Sequence, residues 1–248
     1  MTNLTYISEG NEKTGNCFSF DLPAKITCPG MTKTCGDKCY AAQLMRIYAN
    51  VDAKYARNLE FANSDEFVPH MVRHIPRRCE FRIHVSGDFK DSDYVRKWIE
   101  IATKRPDVEF YAYTRSWRDH TIVAAIIELQ QLENVNVNLS CDTETGKPKF
   151  LAAPSFRWAY LTHDKDHGDA PKWLRRTDIV FRSASAGHKK RRKNAEKKGL
   201  NPNDVAPLVN RIGLAPVCPF ERGAKLETFS CSQCRICIKR PAGELVNA

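Results

Sequence analysis

Seven of the ten cysteines in this 248-residue chain fall into two short sets. One is Cys28, Cys35 and Cys39, in TCPGMTKTCGDKCYA (27–41); the other is Cys218 with Cys231, Cys234 and Cys237, the last three in CSQCRIC. Thiolates are soft charged donors, and two-residue spacers let successive side chains point at one centre, so metal ligation is the chemistry this pattern suggests. A CxxCxxC triplet with a remote Cys-Pro (Cys218-Pro219) is the ligand grammar of a ferredoxin-type [4Fe–4S] cluster, although here the Cys-Pro precedes the triplet. Four thiolates equally make a structural zinc site; such sites more often pair two separate CxxC units, so the triplet favours iron–sulfur. The stretch CSQCRICIKR is too polar to be read as buried apolar cysteines.

The first set has the pattern Cx6Cx3C, with Cys17 upstream. If only Cys28, Cys35 and Cys39 ligate, one iron of a cluster keeps an open position for a substrate or cofactor. If Cys17 joins them, the site is closed and structural, and the sequence alone leaves both readings standing. Cys79, at the start of a strand, reads as a core thiol. Cys141, beside Asp142, reads as core, ligand or reactive group.

These residues need a frame. The segment NCFSFDLP (16–23) reads as a first strand, with the cysteine loop after it. Leu44, Ile47, Tyr48, Val51, Tyr55, Leu59 and Ala62 keep helical spacing, which predicts one long amphipathic helix from Tyr40. Ser64 as N-cap predicts a shorter helix to about His74, ended by Pro76. Then CEFRIHVSGDF (79–89), VEFYAYTRS (108–116), VNVNLSCD (135–142), FRWAYLTHD (156–164) and TDIVFRSA (177–184) read as strands, with helices over Asp91–Lys104 and Thr121–Leu132 between the earlier ones. Strands alternating with helices imply parallel pairing through helical crossovers. The expected fold class is α/β, a partial or complete parallel β/α barrel over residues 1–187. A basic connection and a cysteine-stapled C-terminal module follow over 188–248. Ligands of such folds sit at the C-terminal strand ends. Here those ends carry Ser86-Gly87-Asp88, Thr114-Arg115-Ser116, Ser140-Cys141-Asp142, Thr162-His163-Asp164 and Arg182-Ser183.

The formal net charge is +10, and HKKRRKNAEKKG (188–199) concentrates part of it. That excess favours a polyanionic partner, nucleic acid first, with Lys189, Lys190, Arg191, Arg192 and Lys193 meeting phosphates; the plainer reading is a solvated, solubilising run. No apolar run is long enough to span a membrane, and the first residues lack a secretory pattern. The expectation is a reducing cytoplasm, where disulfides are disfavoured. Neither a G-x-S-x-G turn nor a G-x-x-x-x-G-K phosphate loop is present, and His84 and His163 read as structural histidines.

The combination of TCPGMTKTCGDKCYA, FRIHVSGDF (81–89), FYAYTRSW (110–117) and CSQCRIC resembles the gene product eighty-eight family of phages and mobile elements. More distantly, the order of strand, cysteine loop, CYA-initiated helix, strand ending in SGD, helix and strand ending in TRS is similar to radical S-adenosylmethionine enzymes. That resemblance implies a [4Fe–4S] cluster on Cys28, Cys35 and Cys39 whose open iron chelates the cofactor. Ser86, Gly87, Asp88 and Arg115 would line the cofactor pocket, with Gly87 allowing close backbone approach and Asp88 accepting from an ammonium. The loop departs from the usual CxxxCxxC, and the acid is Asp where that family has Glu. Three functions follow as expectations. One is a radical-type iron–sulfur enzyme acting on nucleic acid or a nucleotide. The second is a zinc-containing barrel transglycosylase that exchanges a base, using the carboxylates Asp88 and Asp142. The third is a non-enzymatic metal-stapled nucleic-acid-binding or host-takeover protein, with Tyr111, Tyr113, Arg115, Trp117 and Arg118 against exposed bases.

Overall fold

The computed structural model describes residues 6–10, 14–146, 155–162, 171–182, 197, 199, 211–212, 215–218 and 230–241. Its centre is a seven-stranded sheet in chain order. Strands β2 (Phe18–Phe20), β3 (Glu80–Ile83), β4 (Glu109–Thr114), β5 (Val135–Cys141), β6 (Arg157–Thr162) and β7 (Ile179–Arg182) run parallel, and β1 (Ile7–Ser8) pairs antiparallel at the β2 edge. The protein is thus mixed α/β with a mostly parallel sheet. Among the described residues no pairing joins β7 back to the first strands, so the expected barrel is present only as its open, sequential strand order.

That order has a direct consequence. Right-handed crossovers between successive neighbours all pass on the same side, so the helices share one face of the sheet. On that face α4 (Phe67–His74), α5 (Ser92–Lys104) and α6 (Val123–Gln131) bury Phe67, Met71, Trp98, Ile101, Ile126 and Leu129 against Phe81, Ile83, Phe110, Val135, Val137 and Leu139. Trp98 is fully enclosed, with Phe20, Phe67, Tyr94, Phe81 and Phe110 around its rings. The side chains that alternate with this core, among them Arg82, Tyr111, Tyr113, Asn136 and Asn138, lie on the helix-free face.

Helix α5 starts where its cap directs, because the Asp91 carboxylate accepts from Tyr94 N at 2.7 Å. The long helix expected from Tyr40 is instead two. Helix α2 (Tyr40–Ile47) and α3 (Ala49–Asn63) meet at Tyr48, whose backbone is extended (φ −120°, ψ 99°). Each half is tethered to a different place. The Tyr40 hydroxyl donates to Val85 O, while Asn58 Nδ2 donates to Tyr6 O and Asp21 O. Ser64 likewise closes α3 instead of opening the next helix, which begins at Phe67.

Strand β3 stops at Ile83, short of Gly87. His84 takes a left-handed φ of 68° and turns the next amides toward the buried Asp21 carboxylate, which accepts from Val85 N at 2.6 Å and Ser86 N at 3.3 Å. The small hairpin of β8 (Arg211–Ile212) and β9 (Ala215–Pro216) is followed by Val217, bridged to Val180 of β7. Near the other end of the sequence, α7 (Cys231–Cys234) is opened by a Ser230/Gln233 capping box. Among the described residues no helix is long and apolar enough to cross a membrane.

Candidate functional site

The loop carrying Cys28, Cys35 and Cys39 lies over the C-terminal ends of β3, β4 and β5, held there by specific ties. Thr32 caps α1 (Lys33–Asp37), its hydroxyl oxygen accepting from Cys35 N at 3.0 Å. The same hydroxyl donates to Asp142 Oδ2 at 2.8 Å, the oxygen that also receives Arg115 Nη1 at 2.6 Å. Asp142 Oδ1 accepts from Glu144 N and Thr145 N, so the carboxylate just past β5 is fully engaged. The Glu144 carboxylate takes Lys33 N at 3.2 Å and Thr34 N at 2.7 Å, and Arg118 Nη1 donates to Gly30 O at 2.9 Å. Gly30 must be glycine on space alone, because a Cβ there would stand 1.8 Å from Arg115 O. Cys39 caps α2, its sulfur accepting from Ala42 N at 3.5 Å.

The three thiols are half-buried. Burial pushes Cys28 up to about 12, and the Asp88 carboxylate, Cys35 and Cys39 add to the rise. Burial also raises Cys35, against the pull of Arg115. The three therefore share one electrostatic neighbourhood. Among the described residues, however, no group of three or more His, Cys, Asp and Glu side chains stands close enough to hold a metal ion. The donor set suits a thiophilic metal, since its charge would replace protons that burial now holds in place. Its spacing in this structure is wider than ligation needs.

Cys17 is not with them. It precedes β2 whereas Cys28 follows it, so one strand separates the two along the sheet. Its sulfur lies 3.3 Å from the Tyr111 hydroxyl, in a buried cluster with Ile238. In this structure the loop therefore has three cysteines, with Cys17 outside it.

Ser86, Gly87 and Asp88 sit beside this loop, each occupied. Ser86 Oγ donates to Leu22 O at 2.8 Å. Gly87 has φ +83°, and a Cβ would stand 2.6 Å from Leu22 Cβ and 2.7 Å from Thr27 Oγ1, so the chain itself fills the space beside it. Asp88 is buried, its two oxygens accepting from Phe89 N and Arg115 N, both at 2.8 Å. Burial raises its carboxyl, and bonds from Thr114 and from those two amides work in the opposite direction. Cys141 packs among the apolar core residues, where burial raises its thiol far from a reactive thiolate.

The C-terminal cysteines lie on the helix-free face. Cys218 N donates to Val180 O at 2.9 Å, and Cys218 packs with Ala159, Ile179, Ile236 and Cys237. Burial pushes Cys237 up to about 12, offset in part by the Tyr113 hydroxyl and increased by Cys218 and Cys231. Cys231 and Cys234 are the ends of α7, seated by Ser232 Oγ donating to Thr14 O at 3.0 Å.

Residues that the sequence did not single out fix this segment. Asn136 and Asn138 each donate to Cys237 O, at 2.7 and 3.0 Å. Arg157 donates to Lys239 O, Arg240 to Val135 O, and Arg235 pairs with Glu80 and Glu109. The available signal was the alternation in VNVN, valine toward the helices and asparagine toward this segment.

Two expectations need correction or a limit. The aromatic platform is not one, since Tyr111 and Trp117 are buried, Arg115 is held by Asp142, and Trp117 Nε1 donates to Ser140 O at 2.9 Å. Tyr111 and Trp117 thus present no open ring face for a base, whereas Tyr113 is partly covered and Arg118 exposed. Lys189, Lys190, Arg191, Arg192 and Lys193, with His163, Asp164, Ser183 and Pro219, lie outside the described residues, as does the boundary near 187.

A family model described as Gene product 88 matches residues 2–240. The chain is 29% identical over 194 residues to the Gene 88 protein of Mycobacterium phage L5, covering 71% of this chain and 80% of that one. It is 27% identical over 178 residues to the Gene 88 protein of Mycobacterium phage D29, covering 65% of this chain and 72% of that one. No solved structure matches.

Proposed function

The chain belongs to the Gene product 88 family, and on that premise we propose that it is an iron–sulfur protein of radical S-adenosylmethionine-like type, with an incomplete barrel as its frame and nucleic acid or a nucleotide as its target. The observation that carries this reading is the cysteine loop tied to the C-terminal strand ends through Thr32, Asp142 and Arg115, with Cys17 away at the other end of β2. Three thiols without a fourth are what a cluster with one open iron requires. Such a cluster, when bound, supplies an electron to a ligand at its open position.

The protein's own residues do the rest. Thr32 and Glu144 order the short helix that carries Cys35, and the buried Arg115–Asp142 pair fixes that helix to the sheet. Ligation requires the loop to draw inward, since the three sulfurs stand apart in the described structure. Cys218, Cys231, Cys234 and Cys237 are proposed as a second thiolate centre, iron–sulfur or zinc, that staples the C-terminal segment to the helix-free face. The formal charge of +10 supports a polyanionic target.

The test is metal analysis of anaerobically purified protein. Iron and acid-labile sulfide in comparable amounts are expected, with part of both lost in the variant Cys28→Ser/Cys35→Ser/Cys39→Ser. Formation of 5′-deoxyadenosine from S-adenosylmethionine with a strong reductant is expected of the intact protein and not of that variant. Zinc alone, or iron unaffected by the triple substitution, would remove the reading.

A further inference from the structure

Arg82 has a side chain that neither the fold nor the proposed cluster uses up. It lies on the helix-free face of β3, partly exposed as a residue, with its charge among tyrosines and a thiol. Its Nε donates to the His84 carbonyl at 3.0 Å, and its side chain also hydrogen-bonds the Tyr40 hydroxyl. Its carbon sits over the Tyr113 ring, 5.0 Å from the centroid. The groups that act on its charge are Tyr40, Tyr111, Tyr113 and Cys17, all neutral at pH 7, and no carboxylate pairs with it among the described residues. A cation in partly desolvated surroundings with no counter-charge is costly, and the planar fork of a guanidinium matches an oxyanion.

The site is reachable. Arg82 and Tyr113 are themselves each partly exposed. Above it is the mouth where the loop of Cys28, Cys35 and Cys39 closes over the strand ends. Below it Cys17 and Ile238 seal the face. The Arg115 guanidinium nearby is already paired with Asp142.

We infer that Arg82 is a recognition site for an oxyanion, the phosphate or carboxylate of a small ligand held on the helix-free face of β3 and β4 beneath the cysteine loop. The inference does not depend on a metal being bound. The stacked Tyr113 ring orients the guanidinium, the His84 carbonyl fixes its Nε edge and the Tyr40 hydroxyl adds a neutral partner, which leaves the charge itself for the ligand to neutralise.

The experiment uses the full chain with inorganic phosphate and acetate as separate probes in isothermal titration. Saturable binding of one probe is expected, and whichever binds identifies the anion class. Arg82→Gln should weaken it by about tenfold or more, Arg82→Lys less, and the surface control Arg96→Gln not at all. A second readout needs no variant. Phenylglyoxal should modify Arg82 in anion-free buffer, and the binding probe should suppress that adduct while leaving Arg96 reactive, as read by peptide mass spectrometry. A folded Arg82→Gln protein that binds as the parent does would overturn the inference. So would the absence of saturable binding by either probe, or an Arg82 adduct that neither probe suppresses.

Discussion

At the scale of single residues, the mouth of the sheet is a set of groups that leave each other little freedom. Gly87 combines φ +83° with contacts under 3 Å to any added Cβ. Gly87→Ala should therefore lower the unfolding free energy by about 2–4 kcal/mol, from backbone strain and overpacking together, as measured by urea denaturation. The Arg115–Asp142 pair is nearly solvent-free, with side-chain exposures of 7% and 0%. Arg115→Met would leave the Asp142 charge buried with Thr32 and two amides, at a cost of about 3–5 kcal/mol. The double variant Arg115→Met/Asp142→Leu should recover part of that loss, because no orphaned charge remains. A double-mutant cycle showing simple additivity would contradict this account of the pair.

At the scale of elements, β5 has two jobs. Its valines and leucine face the helices, while Asn136 and Asn138 hold Cys237 O. Asn138 also donates to Ala112 O and accepts from Arg157 Nη1. Asn138→Ala should cost about 1–3 kcal/mol and speed amide exchange over 236–239 more than over β4, as read by hydrogen-exchange mass spectrometry. The strands themselves were legible, since alternation bounded by Gly, Pro and charged turns marks β4 to β7 closely, although β3 ends at Ile83, before the Gly87 where its alternation stops. The break at Tyr48 was not, because apolar spacing runs through it and only the separate anchors of Tyr40 and Asn58 impose it. The place of Cys17 was legible in principle, because a strand between two cysteines carries them to opposite ends. The covering of Asn136 and Asn138 was not, because it depends on a segment about a hundred residues away meeting the sheet. The cysteine loop was readable as a donor set, whereas its ties to Asp142 and Glu144 exist only in three dimensions.

At the scale of the whole molecule, one histidine shapes the response to acid. Burial, and then the Arg82 charge, lower His84 to about 3 from an ordinary 6.5, and its Nε2 is 3.0 Å from the Tyr94 hydroxyl. Above pH 6.5 the ring is neutral in both folded and unfolded chains. Between 6.5 and about 3 the unfolded chain takes up a proton that the folded one refuses. Stability should thus fall with falling pH across that window, by up to about 1.4 kcal/mol per pH unit. His84→Asn, which tolerates the left-handed backbone, should flatten the slope between pH 6.5 and 4.5 in urea midpoints. A slope unchanged by that substitution would assign the acid sensitivity to other groups. The one-sided arrangement of helices has a last consequence, and it is one of timing. The helix-backed half is built from neighbours in sequence, whereas the other half is finished by bonds such as Ser232 to Thr14, which span 218 residues. Long loops close late, so refolding should pass through a species with one dry side and one wet side, and the wet side seals only when the distant strap arrives.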